Sequence, residues 1–143
     1  MAHEILSVKL RELDQHIARM RSRIQLCDSG ELPQIKKELE LLERECAENN
    51  LNLSQNLRFS KAPFTASLSR TYEQIEQLIR QTAGELQPGE SSDSAESMLE
   101  NQILLAEYAL DFAMQSADRA LLFSMRAIDA EASQQKQEEN KQL

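Results

Sequence analysis

Seven apolar residues near the start of the chain, Leu6, Leu10, Leu13, Ile17, Met20, Ile24 and Cys27, recur at spacings of 4, 3, 4, 3, 4 and 3. This is an a/d heptad repeat, and it constrains the segment to a long helix whose narrow apolar stripe must meet another helix. Lys9, Arg11, Glu12, Asp14, Arg19, Arg21 and Arg23 fill the positions between. The helix should stop near "CDSGELP", where Gly30 suits the left-handed position after a helix and Pro33 the first turn of the next.

A second seam follows through Leu32, Ile35, Leu39, Leu42, Cys46, Asn49 and Leu53. Two seams joined by so short a turn should meet antiparallel. Asn49 is either a polar register-setter in that seam or the end of it. With Asn50, Asn52 and Asn56 close by and Asn a poor helix former, the reading adopted is fraying or a bend in "ENNLNLSQNLRF". Pro63 disfavours helical geometry at Ala62, which places the break at "SKAP". A third helix carries Phe64, Leu68, Thr71, Ile75, Leu78 and Thr82 in heptad spacing, with Tyr72, Ile79 and Leu86 beside them.

The fourth helix is different. On a wheel at about 100° per residue, Ala106, Ala109, Ala113, Ala117, Ala120, Ser124 and Ala127 form one stripe of small residues. Leu99, Ile103, Leu110, Met114, Leu121 and Ile128 flank it on one side, Met98, Leu105, Phe112 and Phe123 on the other. Such a seam lets a neighbouring backbone approach closely, so this helix is expected at the centre, with protein on two or three sides and water on one. Glu107, Asp111, Asp118 and Asp129 line the far edge, where Leu104, Tyr108 and Leu122 also sit. The stripe is either a tight packing seam inside a bundle or a face for self-association. The candidate interface is Leu104, Tyr108, Ala106, Ala109, Ala113, Ala117, Ala120 and Leu122.

Together these patterns give an all-α fold: an antiparallel helical hairpin plus two further long helices, in a four-helix up-and-down or coiled-coil-like bundle. The chain has only 3 Gly, 3 Pro and 4% aromatic residues, too few turn and strand formers for a sheet protein. One domain is expected over 1–133, with helices about 3–28, 33–57, 63–86 and 95–132. Residues 87–94, with Pro88 and Gly89, form a linker; Ser94 caps the last helix; residues 134–143 form a flexible tail.

Charge and composition exclude several jobs. The net charge of -8 repels phosphate backbones and anionic lipid heads, so neither nucleic acid nor membrane is an expected partner. Residues 1–27 alone are basic, with five Lys/Arg against three Asp/Glu. The apolar run Ile103–Met125 is long enough to cross a bilayer, but Glu107, Asp111, Asp118 and Arg119 would each cost about 2.5–3.5 kcal/mol there. "MAHEILSVKLRELDQ" carries charges too often to be a signal peptide, and the expected location is the cytoplasm.

Chemistry is as sparse. Of two histidines, His3 is near the terminus and His16 lies four residues after Glu12, as in an ordinary surface pair. No Glu-x-x-His occurs for a di-iron bundle, and the glycines at 30, 84 and 89 form no phosphate loop. Cys27 and Cys46, in the proposed hairpin, lie some 20 Å or more apart, too far for a disulfide, and two Cys make no zinc site. No catalytic, cofactor-binding or metal-binding residue is assigned, and the chain is not expected to be an enzyme.

The function expected is therefore contact: a cytoplasmic protein-protein interaction or scaffold module that forms a homodimer and binds another protein's helix. An alternative comes from resemblance. The long helices, the acidity and the Gln-rich end "SQQKQEENKQL" make the chain similar to flagellar and type III secretion export chaperones in composition and helix pattern. That resemblance implies a groove holding a partly unfolded export substrate. A small-ligand carrier, with Tyr72, Phe112 and Met114 around a cavity, is the third reading.

Overall fold

A computed structural model describes residues 1–86 and 94–143. The chain is all-α, with four helices and no strand among the described residues: α1 (Ala2–Ser29), α2 (Leu32–Phe59), α3 (Phe64–Gly84) and α4 (Ala95–Gln142). The connection expected over 87–94, including Pro88 and Gly89, lies outside the described residues except for Ser94.

Local chemistry explains where the helices break. Between α1 and α2, the Gly30 amide donates to the Cys27 carbonyl at 3.3 Å. No described glycine has a positive φ, so the left-handed cap expected at Gly30 is corrected. What the turn needs there is space: a Cβ would stand 3.0 Å from the Leu26 carbonyl oxygen and 3.5 Å from Gln34 Oε1. Pro33 sits in the first turn of α2, where an amide has no helical acceptor, and the Glu31 amide donates to Gln34 Oε1 at 3.4 Å. Between α2 and α3, the Ala62 amide donates to Ser60 Oγ at 3.4 Å and the Thr65 hydroxyl to the Ala62 carbonyl at 2.6 Å. Ser94 starts α4, its hydroxyl oxygen accepting the Ser97 amide at 3.2 Å.

The described residues group into two compact units, Met1–Ile24 with Ile103–Leu143, and Gln25–Gln102. In the first, the start of α1 is tied to α4 through Glu131. In the second, α3 packs back along α2. The sequence pairs α1 with α2; the packed pair that the structure describes within one unit is α2 with α3.

That pair accounts for the Asn-rich segment. Residues 49–59 continue α2 to Phe59 instead of fraying. Each Asn costs only a few tenths of a kcal/mol in a helix, up to about 0.7, and packing overrides a penalty of that size. Asn50, Ser54 and Leu57 are half-buried, as are Leu68 and Ser69 of α3. Helix α4 likewise runs through 134–142, where a loose tail was expected. Those residues have little to bury, but Gln, Lys and Glu are good helix formers and Lys141 complements the dipole in the last turn.

No described residue is buried. The residues of α4, expected to be covered on two or three sides, are exposed or half-buried along its length. Replacing Leu68 with Asp should separate α3 from α2. Amide exchange over 49–59 is then expected to speed up at least about tenfold while α4 is unchanged; unaltered exchange would show that α2 holds this segment without α3.

Candidate functional site

A cleft opens between α2 and α3. Its volume is about 410 Å³, with Leu53, Leu57 and Tyr72 supplying apolar surface and Asn50, Glu76 and Arg80 polar groups. Asn50, Ser54 and Leu57 follow one another at spacings of 4 and 3, a repeat displaced by one residue from Asn49 and Leu53. Two of those three residues are polar, which is why an apolar-periodicity reading passes over them. The spacing itself was the available signal.

Within the cleft, Arg80 Nε donates to Glu76 Oε1 at 3.1 Å across one helical turn. Both side chains are substantially exposed, so the pair orients the rim and adds little stability. Three hydroxyls bond to their own helix: Thr71, Thr82 and Ser124 donate to the carbonyls four residues back, at 3.0, 3.1 and 2.8 Å. In the small-residue stripe of α4, this leaves Ser124 with its donor already used.

The candidate interface residues all lie on α4. Ala117 is half-buried; Leu104, Ala106, Tyr108, Ala109, Ala113, Ala120 and Leu122 are exposed, Tyr108 to 66%. Of the large residues beside the stripe, Met98 is half-buried and the others are exposed, Ile103 to 56% and Met114 to 61%. Tyr72 borders the α2–α3 cleft; Phe112 and Met114 belong to the other unit.

Both cysteines are free thiols, Cys27 half-buried and Cys46 exposed. Among the described residues no group of three or more His, Cys, Asp or Glu is placed to hold a metal ion. No described helix is long and apolar enough to cross a membrane.

The clearest electrostatic contact caps α1. Glu131 Oε1 accepts from the Met1 ammonium at 2.9 Å and Oε2 from the Ala2 amide at 2.7 Å. A carboxylate there satisfies an amide at a helix N-terminus and faces the positive end of its dipole. The hydrogen bond from the ammonium, then that from Ala2, holds the Glu131 carboxyl below its ordinary 4.5. The same bond raises the ammonium above its ordinary 8.0.

No family model, curated protein or solved structure matches this chain.

The two shifts set opposite limits on the Glu131 contact. The depressed carboxyl contributes fully above 4.5, and its contribution is lost as pH falls through the lowered value; the raised ammonium contributes fully below 8.0, and its share is lost as pH rises through the raised value. The tie should therefore be strongest between these limits. Glu131→Gln should return the Met1 ammonium toward its ordinary titration in an NMR pH series and remove the acid-side dependence of Ala2 amide exchange. An ammonium that titrates alike in both proteins would break the assignment.

Proposed function

We propose that this protein is a non-enzymatic helical interaction module that works by associating with itself and presenting helix faces to a protein partner. The observation that carries the reading is the exposure of apolar seams on helices of regular amphipathic pattern, in a chain with no buried residue among those described. Fully burying one Leu, Ile, Phe or Met side chain is worth roughly 1.5–3 kcal/mol over leaving it in water. The side chains of α1 and α4 leave most of that stabilisation unrealised within the chain. Association with a second copy supplies it.

A reducing compartment suits the reading. Cys27 and Cys46 are both free, and Cys27 falls in the apolar seam, where a thiol acts as a small hydrophobe. We place the protein in the cytoplasm on this ground.

Light scattering behind size exclusion, in reducing buffer over a tenfold concentration range, should give at least twice the 16.3 kDa chain mass. A mass of one chain throughout would overturn self-association. Ala113→Leu offers a second check on α4. On an uncovered helix it should change stability by less than about 0.7 kcal/mol. In a covered small-residue stripe it should cost about 1–3 kcal/mol through overpacking, visible as a lower melting temperature or an altered mass.

A further inference from the structure

The steps of four and three along α1 assign heptad letters: Leu10, Ile17 and Ile24 fall at a; Leu6, Leu13, Met20 and Cys27 at d. Five of these seven, Leu10 through Ile24, are exposed, Ile24 to 69%, and Leu6 and Cys27 are half-buried. We propose that this face of α1 docks on the same face of a second copy, forming a parallel, in-register, two-stranded coiled coil over residues 6–28. The proposal rests on the self-association reading and names the surface and the partner.

Two features of the helix select this occupant. The first is side-chain shape. Ile at a with Leu at d favours two parallel strands, because β-branched side chains fit the a layer of a parallel dimer. Ile17 and Ile24 follow that rule at a, and Leu6 and Leu13 at d.

The second is charge. Lys9, His16 and Arg23 occupy g; Asp14, Arg21 and Asp28 occupy e. In a parallel pair each g residue faces the e residue five positions on in the other strand. Lys9 then meets Asp14 of the partner subunit, twice by symmetry. His16 falls beside the partner subunit's Arg21, a position that contributes no opposite-charge pair. An antiparallel pair would set g beside g, stacking Lys9 and Arg23 against one another. Lys9 also pairs with Glu12 in its own helix at 3.2 Å, but both groups are exposed and so weak a pair competes little.

The test uses the full chain carrying Cys46→Ser, so that Cys27 is its only thiol. Diamide is the oxidant: as two Cys27 thiols close to a disulfide, the azo compound takes their two electrons and two protons and becomes the hydrazine. A parallel, in-register seam sets the two Cys27 opposite each other, within the roughly 4.4–6.8 Å Cα separation that a disulfide spans. An antiparallel seam sets them about 30 Å apart. The expected result is a reducible covalent dimer as the main species. In parallel, Lys9→Glu should raise the concentration at which the dimer forms by about fivefold, and adding Asp14→Lys should restore it. A dimer that neither cross-links through Cys27 nor responds to the charge exchange would overturn the α1 interface and leave self-association standing. A chain that stays monomeric would overturn both.

Discussion

Amphipathic helices are stable in water only while their apolar faces are covered, and in this chain the coverage is incomplete on every helix. Fixing a residue's backbone costs about 1–2 kcal/mol in conformational entropy, and hydrogen bonding alone does not offset that, since water competes for the same groups. In most globular proteins a buried core supplies the difference. No described residue here is buried, so propensity and capping carry an unusual share within one chain. The Ser94 cap, the Glu131 contact with the start of α1 and the Gln-, Glu- and Lys-rich end of α4 are all devices of that kind.

The pairing of α2 with α3 is the exception, and it shows what modest contact achieves. Asn50 and Leu57 are only half-buried, yet the helix continues through a segment that propensity alone would let fray. Coverage does not have to be complete to decide between helix and coil when the local penalty is a few tenths of a kcal/mol per residue. The proposed assembly extends this logic: a seam of regularly spaced Leu and Ile is a larger reserve of burial than the α2–α3 cleft uses.

What was legible in the sequence was local. Pro33 in the first turn of α2 and Ser94 ahead of α4 are written in one stretch of chain, and each is found where its chemistry requires; the spacing of α1 predicted its helix, while five of the seven seam residues stand exposed. Gly30 was legible as a turn and misread in conformation, because its small size matters there for distance to the Leu26 carbonyl, which the residue type alone does not reveal. The reading of residues 49–59 as fraying missed a contact built on Asn50 and Ser54, which apolar periodicity does not register. The exposure of α4 was not legible for a related reason. An apolar, Ala-lined pattern says that a helix is suited to cover, without saying whether the cover lies in the same chain. For the candidate site, the α4 face was named from the sequence and the α2–α3 cleft was not.

Helix α4 is continuous from Ala95 to Gln142. At 1.5 Å per residue its ends are about 72 Å apart, more than twice the thickness of a bilayer's hydrocarbon core. Backbone hydrogen bonding makes a helix stiff along its axis, so two ligands held at opposite ends would be kept at a set distance instead of sampling the range a coil allows. A coil of the same length would sample a mean separation near 40 Å with wide variation. The length of such a helix is therefore set by residue count, at about 1.5 Å for each residue added or removed.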